Sequence, residues 1–406
     1  MANKHLDKHP LDKSEIRKLT LDNGVKVYLL SNPDFNVSAA SMVVEVGSLE
    51  NPNNREGLAH FLEHMLFLGT KKYPDVDEYS TYLKTFGGYS NAYTASDHTN
   101  YQLQVLPDGF EGALDRFAQF FISPLFTAEY TAREVNAVNS EHQKNIMNDN
   151  WRQHRVTSQF VTNGHPAGKF GTGSLETLGD ITREELIAFY NNQYSANRMG
   201  LALLSTHSLD EMEAWARQYF SDVKNHNLER TKHDPIVFEK KETFRLVQID
   251  PVKDLRDLEI SFAIPSTRHM YESKPGRQLG FILGHEGKGS LLSFLKEKGL
   301  ATGLGANGAP DTPDYGSLGI HISLTEKGVV QYRDVLRYCF SYLEMLKQEG
   351  YKDYLFNEQQ TIAKLEEVYS DKGEGAWTAI SFANNLAFYP IEIAHRVDYY
   401  YDNDPE

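Results

Sequence analysis

The run REGLAHFLEHMLFLGT, residues 55–70, sets His60, Glu63 and His64 among Leu58, Phe61, Leu62, Met65, Leu66 and Phe67. Titratable side chains are costly to bury without partners. The apolar spacing predicts a helix, on which residues four apart share a face. His60 and His64 then project side by side, roughly 6 Å apart along the axis. Two imidazoles so placed can bind one metal ion. Glu63 lies on the same side and can reach a water beside the metal rather than the metal itself. The competing reading is a helix whose histidines are satisfied by ordinary hydrogen bonds, but three polar groups in one apolar helix favour a shared partner.

A catalytic zinc site takes three protein ligands and leaves one position open. Spacing alone does not name the third. The polar stretch REVNAVNSEHQKN, residues 133–145, reads as a helix with Glu134 and Glu141 seven apart. They share a face, roughly 10 Å apart by helical rise, and either can reach a neighbouring helix. His142 is adjacent to Glu141 but points about 100° away. The order H-x-x-E-H is that of inverted zinc proteases, a short motif that fixes three residues only.

The chain that must position these groups has 406 residues, 40% hydrophobic and 24% charged, which fits two or three globular domains. Its 41 Lys and Arg against 56 Asp and Glu give a net charge of −15, which argues against a nucleic-acid or anionic-membrane partner. The single cysteine, Cys339, rules out an intrachain disulfide and reads as a buried small hydrophobe. No apolar run is long enough for a membrane span, so no membrane insertion is expected. The N-terminus shows no signal-peptide pattern, which leaves cytoplasmic and periplasmic locations both open.

Along the chain, residues 19–30 read as strand, Asp-Asn-Gly turn and strand, and 37–48 as a second β-rich run. A helix is expected over 77–88, a hairpin from YSNAYT to YQLQVLP, a helix from Gly109, and one long polar helix from Thr127 to Phe160. Residues 223–243 are polar, without periodicity, and read as a linker. The order then recurs: FRLVQID and LEISFAIP as strands, two helical stretches, GSLGIHISLT as a strand, and two long helices. The expected fold class is α+β, with two related domains, each a mostly antiparallel sheet packed with helices. The domains are expected at 1–222, zinc-binding, and 244–406, non-catalytic. No element is clearly finished at the end, so the second domain is expected to be truncated. GLGANG, residues 303–308, fits G-x-G-x-x-G but follows a helix and opens none, so a nucleotide site is not expected.

Longer stretches carry a family resemblance. LDNGVKVYLLSNP, the run from VGSLENPNN through the histidine helix to SNAYTASDHTNY, REVNAVNSEHQKNIMNDNWR, HPAGKFGTGSLETL and QYSANRMGL resemble the amino-terminal half of an insulysin/pitrilysin-type M16 zinc metallopeptidase. The resemblance spans nearly the whole chain. It implies one Zn2+ per chain, held by His60, His64 and Glu141, with Glu63 as general base and Glu134 as a supporting residue. It implies that SNAYT pairs with substrate backbone as an added strand, through Asn91, Ala92 and Tyr93. LGHEGKGS resembles the family's second-site strand, which puts His285, Glu286 and Gly287 against the substrate's N-terminal end.

The implied function is a zinc-dependent endopeptidase acting on short peptides in an enclosed chamber. The family's second half closes that chamber and supplies an arginine and a tyrosine. The implied partners are therefore peptide substrates and the C-terminal half of the same protein, and the present chain alone is expected to be weakly active or inactive. Two alternatives are a non-catalytic peptide-binding subunit and one subunit of a two-chain processing peptidase. The first usually lacks the zinc motif, whereas His60, Glu63, His64 and Glu141 are all present here.

Overall fold

The computed structural model describes residues 8–238, 244–309, 312–370, 373–399 and 403. In chain order the elements are β1 (Glu15–Thr20), β2 (Lys26–Ser31), β3 (Ser38–Val44), α1 (Leu58–Leu66), α2 (Glu78–Thr85), β4 (Tyr89–Thr94), β5 (Thr99–Val105), α3 (Phe110–Ile122), α4 (Ala128–Asn145), α5 (Asp149–Ser158), α6 (Leu175–Leu178), α7 (Arg183–Gln193), β6 (Met199–Ser205) and α8 (Leu209–Phe220). There follow β7 (Asp257–Pro265), α9 (Pro275–Leu283), α10 (Leu291–Glu297), β8 (Ala301–Ala309), β9 (Tyr315–Leu324), α11 (Glu326–Val330), α12 (Tyr332–Glu349), α13 (Asp353–Tyr369) and α14 (Gly375–Phe388).

Two compact units result. One holds the described residues up to Lys232 together with Tyr369–Val397; the other holds His233–Val368 and the residues from Asp398 onward. The first contains a six-stranded sheet in the order β1-β2-β6-β3-β5-β4. Its pairs are antiparallel except β2 with β6, which run parallel. The second contains an antiparallel three-stranded sheet in the order β7-β9-β8. The two units share a plan. In each, a strand (β3 or β7) is followed by helices and then by an antiparallel pair in which the later strand (β5 or β9) lies centrally.

Strands β3 and β6 read SAASMVV and MGLALLS, and every residue in them is buried. Such runs without alternation need cover on both faces. One face meets α1, α3, α7 and α8, through Phe61, Leu62, Phe117, Leu186, Phe189 and Phe220 among others. The opposite face meets α14, whose Ala379, Ala383 and Leu386 pack on Tyr28, Ala39, Val43 and Leu204. Phe382 stacks on Tyr28 at 4.2 Å between ring centroids. At about 25 cal/mol per Å² of apolar surface, a sheet face of this kind is costly to leave bare.

Helix α14 therefore corrects the expected partition. The division at 222 and 244 leaves 375–388 in the second domain, whereas this segment completes the core of the first. Three further differences are local. The long polar helix is two helices, because the Asn148 side chain accepts from the Asn150 and Trp151 N–H groups and starts α5 afresh. FRLVQID, 244–250, is not a strand; the Phe244 ring packs on Phe262 and Phe340 at 6.0 and 5.0 Å without sheet pairing. GLGANG lies inside strand β8, which periodicity did not reveal because its glycines and alanines carry no alternation. In the second unit Cys339 is fully buried, against the helix-and-sheet core of Leu295, Ile320 and Val335.

Candidate metal centre

Helix α1 starts at Gly57, and the Asn51 side chain accepts from the Ala59 N–H at 2.8 Å. Leu58, Ala59, Phe61, Leu62, Met65 and Leu66 are at most 2% exposed. Their packing fixes the rotation of the helix and leaves His60 and His64 half-buried on one face, ring centroids 4.8 Å apart. Arg55, just before the helix, forks onto Glu185 of α7 at 2.8 and 3.2 Å and reaches Asp180.

Helix α4 runs alongside and brings both glutamates to the histidines. Glu141 Oε2 lies 3.6 Å from His60 Nε2 and 3.8 Å from His64 Nε2. Zinc bonds of 2.0–2.2 Å in a tetrahedral arrangement place neighbouring ligand atoms ~3.4 Å apart, so Glu141 stands close to the separation from each imidazole nitrogen that one ion requires. Ligand atoms of His60, His64 and Glu141 all lie within 4.8 Å of one another, and among the described residues this is the one such group. Two imidazoles and one carboxylate also form a known donor set for catalytic zinc.

The other ring nitrogens are held from behind. His60 Nδ1 faces the Thr172 carbonyl at 2.8 Å, and His64 Nδ1 faces Glu134 Oε2 at 3.3 Å. Both contacts favour the tautomer that leaves Nε2 free for a metal. Glu134 is thus a partner of a histidine rather than a member of the three-atom group. Burial alone would lower the His64 pKa, but hydrogen bonds to Glu134 and Glu141 and the nearby Glu63 charge push it up to about 9. The same His64 contact holds Glu134 and Glu141 below the ordinary carboxylate range.

Glu63 is 7% exposed. Burial pushes its carboxyl up, opposed by His60 and by a 2.6 Å hydrogen bond from Thr94 Oγ1. Thr94 ends β4, the edge strand of the sheet, which carries Asn91, Ala92 and Tyr93. Asn91 is exposed, while Ala92 packs towards the α1 side of the core. The Tyr93 hydroxyl is 2.8 Å from Asn384 Nδ2 of α14 and 3.2 Å from His98 Nε2. Sequence reasoning missed Thr94 and Thr172. The first is the last residue of SNAYT, next to the three named for substrate contact; the second acts through a backbone carbonyl, which leaves no mark on residue type.

The family model described as Insulinase (Peptidase family M16) matches residues 26–163, and that described as Peptidase M16 inactive domain matches 180–362. The chain belongs to the M16 family of peptidases, of the insulysin and pitrilysin type. It is similar to the A-factor-processing enzyme of Saccharomyces cerevisiae, 42% identical over 93% of this chain and 38% of that protein. It is similar to the insulin-degrading enzyme of Homo sapiens, 40% identical over 97% of this chain and 40% of that protein. The crystal structure of pitrilysin superposes with a TM-score of 0.90 at 31% identity, over 98% of this chain and 43% of that one. The chain thus spans about two fifths of the length of the curated relatives it matches.

In the second M16 unit, His285 and Glu286 line an open pocket with Arg277, Phe281 and Asn307. Residues 285–287 follow the end of α9 and form no strand; the strand beside them is β8, an edge of its sheet. The Gly287 N–H donates to His285 Nδ1 at 3.0 Å, so this glycine shapes the turn rather than lining the pocket. No helix among the described residues is long and apolar enough to cross a membrane.

Proposed function

We propose that the chain is the catalytic part of a zinc-dependent endopeptidase that hydrolyses short peptides. The observation that carries this reading is the meeting of His60, His64 and Glu141 donor atoms beside the buried Glu63. His60, His64 and Glu141 would hold the ion. When bound, zinc lowers the pKa of water to ~7 and polarises the peptide carbonyl. Glu63 takes the proton of the attacking water on its carboxylate and returns it to the leaving amine, a general base whose pKa burial raises. Thr94 and the core of α1 hold that carboxylate in place.

Strand β4 offers its outer edge to a peptide in extended form, so that recognition rests on main chain and tolerates many sequences. Asn91 and the backbone of Ala92 and Tyr93 would make those contacts, since the Tyr93 hydroxyl is already engaged. His285 and Glu286, which line a pocket beside β8, would hold the substrate's N-terminal end, as the family resemblance implies. The enclosing chamber is completed by a C-terminal half, in keeping with the length of the relatives, and the chain alone is weakly active or inactive.

The Glu63→Gln variant tests the assignment, assayed with a fluorogenic peptide on the chain joined to its C-terminal half. Zinc should remain and hydrolysis should vanish. Full turnover in that variant would refute the role of Glu63.

A further inference from the structure

The two helices that carry the metal-facing groups, α1 and α4, are joined at one place by a third segment. We propose that residues 169–175 form a strap that ties α1 to α4 and sets the affinity of the metal centre, with Gly173 and Asn139 as its positioning residues. The proposal rests on the zinc reading given above and concerns what holds the ligands, not the ligands themselves.

On the α1 side, the Phe170 N–H donates to Glu56 Oε2 at 2.8 Å, just ahead of the helix. Two residues on, the Thr172 carbonyl meets His60 Nδ1 at 2.8 Å. One residue further, Gly173 crosses the backbone at Gly57 so closely that a Cβ on Gly57 would lie 2.2 Å from Gly173 Cα. Both glycines have positive φ, +90° at Gly57 and +86° at Gly173, a region that other residues enter at a cost. The Thr172 carbonyl can reach His60 because neither crossing residue has a side chain.

On the α4 side, the Leu175 N–H donates to Asn139 Oδ1 at 3.1 Å, two residues from Glu141. The Phe170 ring meets the His142 ring at 4.8 Å, one residue beyond Glu141. A Cβ on Gly173 would come within 3.4 Å of Val138 Cγ1, so the strap also lies against the buried side of α4. Within seven residues, the strap therefore grips a hydrogen-bond acceptor before α1, the ring nitrogen of one ligand, and positions two before and one after another ligand. A helix pair can slide or rotate against its neighbour while keeping its apolar contacts. A segment bonded to both removes that freedom at the level of the donor atoms.

Outer partners of metal-bound histidines orient the ring and raise its basicity, and their loss costs about 10–100-fold in metal affinity. Here the partner of His60 is a carbonyl, which no side-chain substitution removes directly. Its placement depends on the strap, and the strap depends on Asn139 and on the glycine crossing. By linkage, whatever the strap contributes to zinc binding, zinc returns to the order of the strap.

The test measures zinc affinity of the full 406-residue chain by competition with a chromogenic chelator at fixed pH. Asn139→Ala, a half-buried helix position, is expected to weaken zinc about tenfold while leaving the melting of the metal-free chain nearly unchanged. Asn139→Asp keeps the acceptor oxygen and should restore affinity. Gly173→Ala should weaken zinc at least as much; should it fail to fold, the Asn139 pair decides. Hydrogen exchange adds an independent reading: the Phe170 and Leu175 amides should exchange more slowly with zinc present. Wild-type affinity in folded Asn139→Ala and Gly173→Ala, with exchange of 169–175 indifferent to zinc, would overturn the strap while the metal centre stands. A parent chain that binds zinc no better than His64→Ala would overturn both.

Discussion

Thr94 Oγ1 donates a 2.6 Å hydrogen bond to Glu63 Oε2, from the last residue of the edge strand to the middle of the histidine helix. Directly across the hairpin, Thr99 Oγ1 donates to the Val46 carbonyl at 2.8 Å and lies 3.3 Å from Thr94 Oγ1. The Thr94 proton is thereby directed to the carboxylate, and the strand proposed to receive substrate also aims the proposed base. In the chain joined to its C-terminal half, Thr94→Val should lower kcat about tenfold, the ~1.4 kcal/mol equivalent lying near the low end for a hydrogen bond to a charged group. KM and zinc content should stay unchanged, and Thr94→Ser should recover the rate. Unchanged kcat in Thr94→Val would show that packing alone holds Glu63.

The first unit needs α14. A chain ending at Lys232 removes Ala379, Ala383 and Leu386 from the sheet face formed by Tyr28, Ala39, Val43 and Leu204. It also removes the Asn384 amide that bonds the Tyr93 hydroxyl at 2.8 Å and the carbonyl oxygen that accepts from Asn100 Nδ2 at 2.9 Å. Such a chain should lose cooperative thermal unfolding and expose apolar surface to a hydrophobic dye. A sharp melt with parental zinc affinity would show that residues up to 232 suffice.

The Arg55 fork makes an acid-sensitive joint at the base of α1. Its hydrogen bonds to Glu185, aided by the Thr182 N–H, hold the Glu185 carboxyl down to about 2. A carboxyl depressed in the folded state contributes stability above its unfolded value near 4.3, and that contribution is lost as pH falls towards about 2. The Glu185 side chain is 35% exposed, so screening keeps the effect small. Arg55→Met should cost about 1 kcal/mol at neutral pH, and the difference from the parent should shrink below pH ~4. Urea melts at several pH values measure this; an equal difference at every pH would place the cost in packing instead.

The metal centre was legible because its chemistry lies in residue types at helical spacing. His60, Glu63 and His64 declare themselves against an apolar background, and Glu134 and Glu141 share a face of one polar helix. Which glutamate joins the histidines was not legible from spacing, since both reach His64 and only Glu141 stands near both Nε2 atoms. The Thr172 carbonyl could not be read at all, because main chain is the same at every residue. The fold class followed from alternating strands and amphipathic helices, yet α14 was misplaced. The runs SAASMVV and MGLALLS, which show no polar alternation, ask for a second cover without saying which distant segment supplies it. Strand β8 was missed because ATGLGANGA lacks the side chains from which alternation is read.

The most direct measurement is zinc stoichiometry in the purified chain, its His64→Ala variant and its Glu63→Gln variant, by elemental analysis after dialysis against a weak chelator. One zinc per chain is expected in the parent and in Glu63→Gln, and essentially none in His64→Ala. A parent chain without zinc, or a His64→Ala chain that keeps the parental amount, would contradict a metal centre built from His60, His64 and Glu141.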